Sequence, residues 1–166
     1  TTTMALVPQV VDAVDIPVVA AGGIADGRGL AAALMLGADG VQMGTRFLTA
    51  TECMIHQNYK DRVLKASDID TAVTGRSTGH PVRQLRNSMT RKYLELEKEG
   101  TGFEELELLT LGSLRKAVVD GNVTEGSMMA GQIAGLVKTQ KSCGQILEEI
   151  MRQAEKVLER GAAWVR

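Results

Sequence analysis

One stretch, Pro17 to Phe47, constrains this chain more than any other. An apolar run, Val18-Val19-Ala20-Ala21, passes straight into Gly22-Gly23-Ile24, and a second run, Val41-Gln42-Met43, ends in Gly44-Thr45-Arg46. Between them, Gly27 to Ala38 (GRGLAAALMLGA) is rich in small residues, as suits a helix packed on a sheet, and it closes on Leu36-Gly37-Ala38-Asp39-Gly40. Strand, glycine turn, helix and strand make one βαβ step. The first strand carries no polar alternation, so the sequence predicts a parallel strand buried on both faces.

Both turns suit an anion. Without Cβ, Gly22 and Gly23 can adopt positive φ and let an oxygen-rich group approach their N–H groups closely. Asp26 stands at a helix-cap position, and the positive end of the following helix is expected to add to the attraction. Gly44 and Thr45 repeat the device after the second strand, with the Thr45 hydroxyl as an extra donor. In a (β/α)₈ barrel the loops after strands seven and eight form the usual phosphate site, and two such turns one strand apart fit that placement. Taken singly, a GG pair after a strand is more often a plain tight turn than a phosphate cradle.

Composition narrows the alternatives. With 166 residues and 44% hydrophobic content the chain can bury a core, and its net charge of -1 argues against nucleic acid as the main partner. No apolar run reaches the roughly 20 residues of a membrane span, and Thr1-Thr2-Thr3-Met4 has no signal-peptide character, so the expected location is the cytoplasm. Only 3% of the residues are aromatic and 18 are glycine, which favours an α/β protein over a β-sandwich. Cys53 and Cys143 form neither a CxxC pair nor a metal-ligand cluster and read as reduced thiols; no metal site is expected. The chain begins within an apparent helix without an initiator methionine, which suggests a portion of something longer.

The remaining elements follow from periodicity. Residues 2 to 14 predict a helix with Leu6, Val10, Val11 and Val14 inward. A further helix is expected over 52 to 66, where His56 and Tyr59 share a face, then a short strand over 68 to 76 and a loop, Ser77 to Pro81, carrying His80. Neither histidine has a visible catalytic partner. A charged amphipathic helix is expected over 87 to 99, and 114 to 119 belong to another helix. The run Gly126-Ser127-Met128-Met129-Ala130-Gly131-Gln132-Ile133-Ala134-Gly135 serves either close packing or, through Gln132, a flat ring system. Residues 142 to 160 predict a long amphipathic helix with Ile146, Ile150, Ala154, Val157 and Leu158 inward.

The segments AAGGIADGRGLAAALMLGADGVQMGTRFLTA, HQNYKDRVLKA, TGHPVRQLRN and GSMMAGQIAGLV, in that order, resemble the FMN-dependent enoyl-acyl-carrier-protein reductases of the FabK type, relatives of the nitronate monooxygenases. The likeness through LGSLRKAVVDGNV and GSMMAGQIAG looks closer to the reductases. It implies the C-terminal part of a (β/α)₈ TIM barrel with an added small helical region, the two apolar runs being strands seven and eight.

By the same resemblance, Gly22, Gly23, Gly44 and Thr45 would hold the FMN phosphate and Gln132 would line the ring. NADH or NADPH would donate hydride, and the substrate would be an enoyl group on acyl carrier protein, reduced by a homodimer in fatty acid biosynthesis. The implied division is 1–66 as the end of the flavin barrel, 67–135 as a region near the flavin, and 136–166 as a helix on the barrel. The family's catalytic histidine is expected before Thr1, and neither His56 nor His80 matches its motif. Three other readings stay open: nitronate oxidation on the same barrel, a flavin-free phosphate-binding barrel such as an aldolase or isomerase, or a non-catalytic fragment that needs a complementary half.

Overall fold

The computed structural model describes residues 1–163. In chain order the elements are α1 (Thr3–Val11), β1 (Val19–Ala21), α2 (Gly27–Met35), β2 (Gly40–Gln42), α3 (Thr45–Leu48), α4 (Gln57–Leu64), β3 (Thr71–Thr74), β4 (Val82–Leu85), α5 (Ser88–Lys98), α6 (Phe103–Thr110) and α7 (Ser113–Val118), then a 3-10 helix (Gln132–Leu136) and α8 (Cys143–Ala162). They form two compact units, one of Thr1–Glu52 with the segment from Lys141 onward, the other Cys53–Gln140. The boundaries therefore differ from those expected at 66 and 135. Residues 53–66 belong to the second unit because Tyr59, buried in α4, donates its hydroxyl to the Met129 carbonyl at 2.7 Å. Of the expected last segment, 164–166 lie outside the described residues.

In the first unit the βαβ step forms as predicted, with β1 and β2 parallel and Val19, Ala20 and Ala21 opposite Gly40, Val41 and Gln42. Ala20 joins Val7, Ile24, Ala33 and Ala38 in the core. The expectation of a strand buried on both faces is not met: Val19 is 59% exposed, because among the described residues helices cover only one face of β1. The inward stripe of α1 also differs. Thr3, Val7 and Val11 are spaced i, i+4, and it is Val7 that is buried while Leu6, Val10 and Val14 are exposed. The helix stops at Val11, so Val14 never joins it.

Helix α8 behaves as its pattern predicts, burying Ile146, Ile150 and Ala154. Its start is pinned twice. Ser142 and Gln145 form a reciprocal capping box, and the Cys143 N–H donates to both Glu52 carboxylate oxygens at 2.9 and 3.0 Å. That bond, with the negative carboxylate at a helix start, holds the Glu52 carboxyl below its usual range. Helix α2 lies against α8 with almost no space. A Cβ on Gly27 would fall on the Ile150 carbonyl, the Ala154 N–H and the Gln153 Cβ, and the Gly27 N–H itself donates to Gln153 Oε1 at 3.1 Å.

The second unit contains a hairpin where the sequence suggested one strand and a loop. β3 and β4 are antiparallel, Thr71 opposite Leu85 and Thr74 opposite Val82. Gly75, at φ +77, makes the turn tight enough that a Cβ would collide with the His80 carbonyl. Arg83 and Gln84 interrupt the apolar pattern of β4, so its sequence does not read as a strand, and helix α6 is a further element beyond the sequence expectation. α5 starts on a capping box between Asn87 and Thr90, and the buried Asn87 amide also donates to the carbonyls of Val123 and Gly126 at 2.9 and 2.7 Å. Met89 and Tyr93 of α5 pack on Leu106 of α6.

Gly27→Ala should cost about 1 to 3 kcal/mol of stability, the range for an added methyl in a filled contact. Urea denaturation of the purified protein checks it; an unchanged midpoint would mean that α2 and α8 do not meet as described.

Candidate functional site

Because β1 and β2 run parallel and in register, both chains leave the sheet at the same edge, Gly22 after Ala21 and Met43 after its partner Gln42. Neighbouring strands lie ~4.8 Å apart, so the two glycine turns rise side by side. Gly22 (φ +95) and Gly23 (φ +79) are both left-handed, the conformation that glycine alone adopts freely. The turn is tied down by Thr3, whose hydroxyl donates to the Gly22 carbonyl at 2.9 Å.

The space in front of these turns is open. A Cβ on Gly22 or Gly23 would meet only the Thr3 hydroxyl oxygen, at 3.8 Å, and one on Gly44 would meet nothing within 4 Å. The contrast with Gly27 separates two uses of glycine. At Gly27 a neighbouring helix needs the room, whereas at Gly44, with φ -96, neither conformation nor crowding calls for glycine. Among the described residues, no acceptor binds the N–H of Gly23 or of Gly44. Two exposed donors therefore flank open space at one sheet edge, with half-buried Thr45 beside them as the first residue of α3. A tetrahedral oxyanion fits that donor set.

One part of the expected site is absent. The start of α2 was expected to point its free N–H groups at the anion, but they are already used: Gly27 donates to Gln153, Arg28 to the Asp26 side chain at 3.0 Å, and Gly29 and Leu30 to the Asp26 carbonyl. Asp26 caps the helix as predicted and is paired with Arg28 at 2.5 Å. Partial burial works to raise the Asp26 carboxyl, yet the Arg28 guanidinium and the nearby backbone N–H groups outweigh it and hold the carboxyl below its usual range. The negative charge stands where the sequence suggested an anion, so the donors left open are those of the turns and not those of the helix end.

Arg46 follows the second turn in the sequence. It is buried, donates to the Thr49 hydroxyl at 3.3 Å and lies 4.0 Å from Glu149 of α8. Burial lowers the Arg46 pKa, and Glu149 opposes that shift. Lys141, 2.8 Å from Glu149, holds the Glu149 carboxyl low, so this carboxylate stays charged between two cations behind the second turn.

The other candidates sit in the second unit. Gln132 is exposed at the start of the 3-10 helix. His56 caps α4, its Nδ1 accepting from the Asn58 N–H at 3.1 Å, which is a structural task. His80 is exposed in the hairpin turn, its ring tilted toward Phe103 with centroids 6.1 Å apart. Gly126 and Gly135 serve packing, since a Cβ on either would press on neighbouring backbone. Cys53 and Cys143 are both half-buried. Among the described residues, no helix is long and apolar enough to cross a membrane.

A family profile described as nitronate monooxygenase matches residues 1–153. The chain belongs to the nitronate monooxygenase family. A probable nitronate monooxygenase from Staphylococcus saprophyticus is 41% identical over 158 residues, covering 95% of this chain and 44% of the relative. Among solved structures, FabK from Thermotoga maritima matches with a TM-score of 0.94 and 48% identity, over 99% of this chain and 52% of that one. A nitroalkane oxidase from Streptomyces ansochromogenes matches with a TM-score of 0.79 and 30% identity, over 95% of this chain and 45% of that one. The chain thus spans about half the length of the relatives it matches, and its fold is α/β, part of a (β/α)₈ barrel with an added helical region.

Replacing Thr3 by Val should remove about 1 kcal/mol by loosening the Gly22–Gly23 turn, while Thr3→Ser should remove much less. Urea denaturation reads this directly: a lowered midpoint in Val alone is expected, and equal midpoints in both would detach Thr3 from the turn.

Proposed function

We propose that this chain is the phosphate-holding portion of an FMN-dependent oxidoreductase. The observation that carries the reading is the pair of side-by-side glycine turns with uncommitted N–H groups facing open space. In this reading Gly22 and Gly23 hold one side of the phosphate, while Gly44 and the Thr45 hydroxyl hold the other. FMN, when bound, supplies the hydride-transfer chemistry that no side chain here provides. The chain's own part is to fix the phosphate end rigidly, the Gly22–Gly23 turn by the Thr3 bond, Gly44–Thr45 by the buried Arg46 that follows.

For the whole protein we propose reduction of an enoyl thioester on acyl carrier protein by NADH or NADPH, as a homodimer in the cytoplasm. The 48% identity and 0.94 TM-score to a FabK support this choice. Oxidation of nitronates is the second reading, supported by the 41% identical relative named probable nitronate monooxygenase. Assays of the full-length protein with a crotonyl thioester plus NADH and with propionate-3-nitronate separate them. Reduction of the thioester is expected; turnover of the nitronate alone would overturn the reductase reading.

Gly44→Ala is the sharpest probe of the phosphate cradle, because its backbone tolerates alanine and the methyl meets no protein atom. Stability should be unchanged while FMN binds at least about tenfold more weakly, equivalent to roughly 1.4 kcal/mol. Thr45→Val should cost about 1.5 to 3 kcal/mol of FMN affinity and Thr45→Ser much less, as a hydrogen bond to a charged group requires. FMN titrations of the apoprotein measure both, and full affinity in Gly44→Ala and Thr45→Val would remove these residues from the site.

A further inference from the structure

The second unit contains a cleft of about 430 Å³ between the β3–β4 hairpin and helices α5 to α7. Its size is within the range of small-molecule sites. At its wall stands Gln84, only 3% exposed, on the central part of β4. The Gln84 Nε2 donates to the Thr74 hydroxyl at 2.8 Å, and that hydroxyl's own hydrogen points to the Val82 carbonyl at 3.4 Å. Thr74 is therefore an acceptor toward Gln84, which fixes the amide with Oε1 away from it. Among the described residues, no donor reaches Gln84 Oε1. A buried acceptor left without a donor is costly, on the order of 1 to 3 kcal/mol, and is uncommon in folded proteins.

A second acceptor lines the same cleft. Ser113 donates to the Thr110 carbonyl at 2.6 Å, and the Ser113 and Ser127 hydroxyl oxygens are 2.7 Å apart. With the Ser113 hydrogen committed, Ser127 must donate to Ser113, and only lone pairs of Ser127 remain for the cleft. No lysine or arginine lines it; Glu107 and His80 do, both exposed to solvent, while Val82, Phe103 and Leu114 provide apolar wall. The two buried oxygens argued above, Gln84 Oε1 and the Ser127 hydroxyl, are thus neutral acceptors beside apolar wall. Acceptors next to the Glu107 carboxylate disfavour phosphates and carboxylates, which need donors, and an ammonium held at the buried Gln84 oxygen would have only the exposed Glu107 as counter-charge.

We propose that this cleft is a binding site for an uncharged amide with an apolar body, its N–H donated to Gln84 Oε1. The assignment is independent of the flavin reading and uses none of the residues placed at the glycine turns. The chemical signature is a requirement for the donor hydrogen, which methylation of the amide nitrogen removes while shape and hydrophobicity are nearly kept.

The test is NMR titration of the purified full-length protein, isotope-labelled at its glutamine side chains, with N-benzylacetamide, N-benzyl-N-methylacetamide and benzylamine. N-benzylacetamide should shift the Gln84 side-chain signal, assigned by its loss in Gln84→Met, and bind about tenfold more tightly than the N-methylated compound. In Gln84→Met the two amides should bind alike. Should that variant not fold, the comparison of the two amides on the wild-type protein decides alone. Equal binding of both amides, tighter binding of benzylamine, or no shift at Gln84 with any of the three would overturn the proposal.

Discussion

The parallel, in-register pairing of β1 with β2 is the constraint on which the rest of the candidate site depends. Had the second strand returned antiparallel, Gly44 and Thr45 would lie at the opposite edge from Gly22 and Gly23. The crossover helix α2 makes the parallel return possible, and α2 in turn is held by its close approach to α8 across Gly27. Glu52, through its bonds to the start of α8, closes the same unit from the other end. Each contact is modest alone, yet together they set the edge at which both turns emerge.

The glycines divide by physical cause. Gly22 and Gly23 are required by positive φ, Gly27 by a neighbouring helix, and Gly44 by neither. A residue that nothing in the protein demands, next to open space and an unused N–H, points to a group from outside the chain. The same reasoning shifts weight away from the α2 helix end, where Asp26 and Gln153 already occupy the donors.

Much of this was legible in the sequence, and the misses have reasons. The βαβ step, the Asp26 cap and the inner face of α8 follow from local periodicity and cap chemistry, which act within a few residues. The inner face of α1 was misjudged because Leu6-Val10-Val14 and Thr3-Val7-Val11 are both i, i+4 stripes, and only the position of the sheet chooses between them. β4 was hidden by Arg83 and Gln84, polar residues whose partners, Thr71 and Thr74, come from the other strand of the hairpin. The place of α4 in the second unit depends on Tyr59 reaching Met129, a contact 70 residues apart that no local pattern encodes. At the site, the two turns were readable from spacing, but the use of the α2 donors by Gln153 was not.

The central claim is that the two turns grip a phosphate rather than merely close a fold. Comparing the affinity of the flavin-free full-length protein for FMN and for riboflavin tests it most directly, since the two differ only by that phosphate. Binding of riboflavin weaker by at least about a hundredfold, or roughly 2.7 kcal/mol, is the predicted result. Equal affinity for the two would contradict it.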